Sequence, residues 1–227
     1  MNTFIASSGL DKLIQGAWNF LEVGGFFMAL LVLTSVVALT AIIFKSRTLR
    51  RSRIVPRDLE RILERMGRRG VSDGAMADVG VHAAGRRSVL ARLCMVVLEH
   101  PTDDDEDIAK AVQSCAREEI VKMNVGLPML ETVITGAPML GLLGTASGLV
   151  LVFSGIGPTS DYFMTSRGIS EALNNTIMGL AVALLAVVSH GYFERRTEYF
   201  IARMEVLTGH LLAAAKSARR GANAAKG

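Results

Sequence analysis

The amino-acid sequence predicts an all-α, polytopic membrane protein with three transmembrane helices and a helical cytoplasmic domain. Half of its 227 residues are hydrophobic and the mean hydropathy is +0.37, yet 20% are charged. The two populations must therefore be segregated along the chain. Three uncharged stretches, Val23–Phe44, Thr132–Ser160 and Ala172–Phe193, are each long enough to cross a hydrocarbon core roughly 30 Å thick as a helix. Aromatics make up only 6% of the chain, against 22 Gly and 11 Met. That balance suits helices packed through small residues better than a β-barrel.

Residues 1–22 read as a periplasmic interfacial helix. Leu10, Leu13, Ile14, Ala17, Trp18 and Leu21 recur at three-and-four spacing, Ser8 and Asp11 resemble a capping box, and Trp18 suits the membrane boundary. The alternative is a helix packed on another subunit. Residues 23–44, bounded by Glu22 and Lys45, are the first transmembrane helix. Asp11 and Glu22 stand where a signal peptide would be basic, and the apolar run is longer than a signal h-region, so the segment is expected to stay in the mature protein.

Residues 45–131 form the expected cytoplasmic helical domain. Leu59, Ile62, Leu63 and Met66 make one apolar face, Val89–Leu98 a second apolar run, and the acidic run Asp103–Asp107 suits a helix N-terminus. From there the helical pattern runs through Ile108, Val112 and Cys115 towards the second span. It is either one long helix or two helices broken at Gly126 or Pro128. The remaining segments are transmembrane helix 2 (132–156), a periplasmic turn (157–170), transmembrane helix 3 (171–193), and a cytoplasmic C-terminal helix and tail (194–227).

Basic residues set the orientation. Lys45, Arg47, Arg50, Arg51 and Arg53 follow the first span and Arg195 and Arg196 follow the third, while the N-terminal segment and the turn carry little positive charge. The N-terminus is therefore expected outside and the C-terminus in the cytoplasm. This placement also accounts for the net charge of +4 and pI near 9.3 without nucleic-acid binding. Cys94 and Cys115 are too far apart for a Cys-x-x-Cys pair and have no clustered histidines. They read as reduced structural thiols, with no metal or cofactor expected. The glycine-rich Gly141–Gly148 segment lacks a phosphate loop's Gly-Lys-Ser/Thr ending, and neither His-Glu-x-x-His nor a nucleophile elbow occurs, so an enzyme is not expected.

In the second span Gly141, Thr145, Gly148 and Val152 share a face, and Gly144 with Gly148 adds a small-xxx-small pair. In the third, Ala172, Thr176, Gly179, Ala183 and Ala186 follow a four-three-four-three rhythm. Two smooth faces can then oppose each other, and such faces are expected to join copies of the chain into a closed ring. Thr145 and Thr176 are either helix residues bonded back to their own backbone or, in several copies around an axis, hydroxyl rings that admit water to a pore. Glu171 is either a hydrated group on an ion path or a helix-start residue favoured by the helix dipole. Asn174 and Asn175 read as polar interhelical contacts.

The strings GAPMLGLLGTASGLVLVF (136–153) and GISEALNNTIMGLAVAL (168–184) resemble the paired motifs of the MotA/TolQ/ExbB proton-channel family, most closely its ExbB/TolQ branch. The resemblance is strong over the last two spans, and residues 45–125 match only in character. It implies a homopentamer in the bacterial inner membrane whose second and third spans line a pore. The pore would hold the single spans of an ExbD/TolR-like partner that carries the titratable membrane aspartate. Beyond that partner it implies a TonB- or TolA-like protein driven by the proton motive force. Residue by residue, the motif threonines fall on Thr145 and Thr176 and the glutamate on Glu171. Leu185 stands where members commonly have proline, and Asn174 and Asn175 where they have small apolar residues. Apart from Glu171 the spans contain no carboxylate, so a mid-membrane proton carrier has to come from a partner. The alternatives are a flagellar- or gliding-type stator, of which a four-span arrangement would favour the flagellar type, and a non-conducting scaffold joined through glycine faces.

Overall fold

The computed structural model describes residues 25–69, 75–85, 88–99, 105–155 and 162–224. The expected interfacial helix at 1–22 and the start of the expected periplasmic turn lie outside the described residues. Every regular element among those described is an α-helix: α1 (Gly25–Thr48), α2 (Arg51–Ile54), α3 (Arg57–Arg69), α4 (Ala75–Ala83), α5 (Val89–Glu99), α6 (Asp105–Asn124), α7 (Leu127–Ser154) and α8 (Tyr162–Ala224). Gly25–Thr48, Asp105–Ser154 and Tyr162–Arg220 each hold a segment long and apolar enough to cross a membrane.

The chain divides into two compact units. The first, Met1–Ile43 with Gly126–Gly191, carries the apolar segments. Its surface holds the large aliphatic side chains, among them Leu33, Leu142, Leu151, Ile177 and Leu184, while Ala137, Gly141, Gly144, Ala172, Gly179 and Ala186 are buried. Met28, Leu31 and Leu130 are buried as well, but so many large aliphatic groups on the surface are the reverse of a water-facing bundle, and small residues between them suit helices bathed in hydrocarbon. Of the two alternatives for the path into the second span, the structure has the break. Gly126 takes φ +92°, a left-handed conformation open to glycine, and caps α7. Pro128 follows in the first turn, where its missing N–H costs nothing.

The helices extend beyond the expected spans. α7 starts at Leu127, before residue 132, and α8 starts at Tyr162, so 162–170, expected within the turn, are already helical. The polarity of Asp161 and Arg167 points to a turn, but polarity marks where hydrocarbon ends more reliably than where a helix does.

The second unit, Phe44–Val125 with Tyr192–Gly227, is built like a soluble domain. α3 buries Leu59, Leu63 and Met66; α5 buries Leu90, Leu93, Cys94 and Val97; α6 buries Ile108, Val112 and Met123. The acidic start of α6, Asp105, Glu106 and Asp107, lies where the helix dipole favours negative charge. Along α8, Phe193, Thr197, Phe200, Met204, Leu207, Leu211 and Ala214 are all buried, at alternating four and three spacing. That 3.5-residue period keeps one seam in place along the helix.

Charges inside this unit are paired. Glu60, 7% exposed, accepts from Arg51 and Arg203, both at 2.8 Å, and Arg203 also pairs with Glu64. Burial pushes the Glu60 carboxyl up, but the hydrogen bonds and charges of Arg51 and Arg203 outweigh it and hold it below the usual carboxylate range. Arg92 pairs with the buried Glu119 at 2.6 Å. The Lys45 ammonium, fully buried, donates to the carbonyls of Met123 and Val125 at the C-terminal end of α6, where the helix dipole favours a cation.

Candidate functional site

α7 and α8 of the first unit approach each other so closely that glycine is required at the crossing. A Cβ on Gly141 would lie 2.9 Å from the Asn175 carbonyl oxygen and 3.1 Å from Thr176 Cα, and one on Gly179 would lie 2.6 Å from the Ala137 carbonyl oxygen. These obstacles are backbone and cannot rotate away. One turn on, a Cβ on Gly144 would meet the Asn175 side chain at 2.8 Å, and one on Gly148 would meet Ala172 Cβ at 2.7 Å. Ala183 is buried on the α8 side. The small-residue faces therefore meet each other within one chain. An α-helix pair in hydrocarbon gains dispersion contact wherever two such faces lie nearest.

At this crossing the two threonines touch. The Thr145 and Thr176 hydroxyls share a short hydrogen bond, Thr145 Oγ1 lies 2.8 Å from the Gly141 carbonyl, and Thr176 Oγ1 lies 3.2 Å from that same oxygen. Thr145 thus makes the back-bond to its own helix considered above and also reaches across to α8. Two hydroxyl protons serve two of these three contacts at a time, each hydroxyl donating either to the carbonyl or to the other hydroxyl, and the hydroxyl lone pairs left over can accept a further proton donor.

Glu171 is half-buried, and Arg167 Nε donates to its Oε1 at 2.8 Å. It sits nine residues after the start of α8, well past the first turn, where the dipole's influence ends. The helix-start alternative is removed. Leu185 is exposed and α8 runs through it as helix.

Two polar residues matter more in the structure than the sequence suggests. Asn175 is only 4% exposed, and among the described residues its Oδ1 has no hydrogen-bond partner. Ser147 lies with Asn175 and Glu171 in the wall of a cavity of about 460 Å³ that Gly25, Phe26 and Phe27 of α1 also line. Asn175 is legible as an oddity, a carboxamide in an apolar run, whereas Ser147 beside glycines carries no sequence signal.

Comparison with known proteins bears on the same segment. A profile of the MotA/TolQ/ExbB proton channel family matches residues 81–206. An ExbB-like biopolymer transport protein of Synechocystis is 35% identical over 175 residues, 73% of this chain and 65% of that protein. An ExbB homologue of Methanothermobacter thermautotrophicus is 27% identical over 203 residues, 87% of this chain and 71% of its own length. The Tol-Pal system protein TolQ of Pseudomonas aeruginosa is 34% identical over 100 residues, 43% of each chain. The alignments thus span from 43% to 71% of these relatives' lengths, 65% for the Synechocystis protein. With the apolar helices, the glycine-lined hairpin and the threonine pair inside the matched region, the chain belongs to the MotA/TolQ/ExbB proton channel family, on its ExbB/TolQ side.

Proposed function

We propose that this chain is the channel and stator subunit of an inner-membrane energy-transducing complex that uses the proton motive force to drive a TonB- or Tol-type partner. The observation that carries the reading is the Thr145–Thr176 hydroxyl pair on helices whose spans hold no carboxylate but Glu171. Hydroxyls accept and pass hydrogen bonds without fixed charge, so they suit a wetted path, but they do not store a proton. A single-span ExbD/TolR-like protein with a membrane aspartate supplies the titrating group, and five copies of this chain surround it. The N-terminus is periplasmic and the C-terminus cytoplasmic, as the basic flanks direct. Glu171 lies at the outer end of the path.

The test is partner-dependent proton uptake in proteoliposomes, with oligomer mass measured alongside. Thr145→Val and Thr176→Val keep shape and remove the hydroxyl. Both should assemble and lose uptake at least tenfold, while Thr→Ser at either position should retain most of it. Wild-type uptake by both valine variants would remove the threonines from the path. Assembly without uptake by the wild-type complex would favour a scaffold.

A further inference from the structure

The basic residues that follow the first apolar run do not all serve the fold. Lys45 is fully buried and donates to the Met123 and Val125 carbonyls, and Arg51 is held by Glu60 at 2.8 Å. Arg47, Arg50 and Arg53, interleaved with those two, are exposed, and among the described residues none of the three pairs with a carboxylate. No Asp or Glu occurs between Lys45 and Arg57 to neutralise them, whereas elsewhere in the second unit Arg92 meets Glu119, and Lys216 and Arg219 meet Asp105. Arg47 stands in the last turn of α1, four and three residues after the exposed Ile43 and Phe44, so one side of the helix passes from apolar to cationic within a turn. Leu49, Ile54 and Val55 are buried and anchor the backbone that carries the three guanidinium groups.

We propose that Arg47, Arg50 and Arg53 bind the phosphate headgroup of an anionic bilayer lipid at the end of the first span. The tendency of basic residues to follow a span explains why arginines stand here, but not why Lys45 and Arg51 turn inward while these three stay out. A guanidinium keeps its charge, and its planar fork matches two oxygens of one phosphate. Its apolar stem can lie along the hydrocarbon edge while the head reaches the phosphate layer. A zwitterionic headgroup brings its own cation beside the phosphate and is the poorer partner. Ile43 and Phe44 next to Arg47 fit a ligand with a charged head and an apolar tail, which favours a lipid over free phosphate. The site needs neither the partner nor the pore, and it holds for either orientation of the chain.

The full-length protein in a mild non-ionic detergent is titrated with dioctanoyl phosphatidylglycerol, with dioctanoyl phosphatidylcholine and with glycerophosphate, and bound molecules are counted by native mass spectrometry. The wild type should take phosphatidylglycerol more tightly than phosphatidylcholine, and the difference should shrink as salt rises. Each single Arg→Gln should weaken phosphatidylglycerol binding about fivefold, and the triple variant of Arg47, Arg50 and Arg53 about one hundredfold. A charge-matched triple, Arg65→Gln with Arg117→Gln and Arg220→Gln, removes exposed arginines elsewhere in the second unit and should bind as the wild type does. Lys45 and Arg51 stay in place in every variant, so the helix signal should not change, and Arg→Lys at the three positions should retain the preference. Binding by the first triple at wild-type strength, equal losses in the two triples, or equal binding of the two lipids overturns the proposal. Full competition by glycerophosphate would assign the arginines to free phosphate and overturn it as well. Because no flux is measured, failure here leaves the threonine test standing.

Discussion

At the scale of single residues, the chain concentrates chemistry where polar atoms are buried. Glu60 is the clearest case in the second unit, placed between Arg51 and Arg203. Its folded pKa is depressed, so the stability it contributes is fully present above the ordinary carboxylate range and is lost as pH falls through the lower folded value. Glu60→Gln should therefore lower stability at pH 7 by about 1–3 kcal/mol. It should also flatten the acid limb of the unfolding curve below about pH 4.5, read as helix signal against pH for the full chain. An unchanged acid limb would show the network to be unimportant. This network is invisible in the sequence: Arg203 and Glu60 are 143 residues apart, and no spacing rule links them. Thr145, Thr176 and Glu171 are legible because they lie in short apolar strings where any polar side chain stands out. Cys94 is legible as inert, and burial pushes its thiol up to about 12, far from a reactive thiolate.

At the scale of elements, the α7–α8 crossing is set by what a Cβ would meet. Gly141→Ala and Gly179→Ala push a methyl group into backbone and should cost about 1–3 kcal/mol each, seen as a lower Tm in nanodiscs. A methyl group on Gly191 would meet nothing within 4 Å. Gly191→Ala should thus be neutral or stabilise by about 0.5–1 kcal/mol through helix propensity. If all three behave alike, glycine at the crossing is not there for closeness. Gly148→Leu acts first within the chain, against Ala172, so lost assembly in that variant follows from a distorted hairpin. The three apolar runs make the three long apolar helices readable. The ends of α7 and α8 are not, since a helix can outrun the hydrocarbon that its sequence marks.

At the scale of the whole molecule, one chain carries two kinds of packing, and each follows its surroundings. The first unit shows large apolar groups to its surroundings, and the second buries them. A reporter fused after Arg53 or at the C-terminus should report cytoplasm, and one inserted near Ser160 should report periplasm; reversal of either would overturn the proposed orientation. The segregation of charge from apolar runs makes this division readable from composition, whereas the packing of 45–125 is not, because short amphipathic helices announce a buried face without naming what covers it. The buried seam of α8 from Phe193 to Ala214 also limits how the chain can change length. One residue inserted after Met204 would turn everything beyond it by about 100° and carry Leu207, Leu211 and Ala214 off the covered side. Seven residues would restore the phase. Loops here can drift in length one residue at a time; this helix can grow or shrink only in whole heptads.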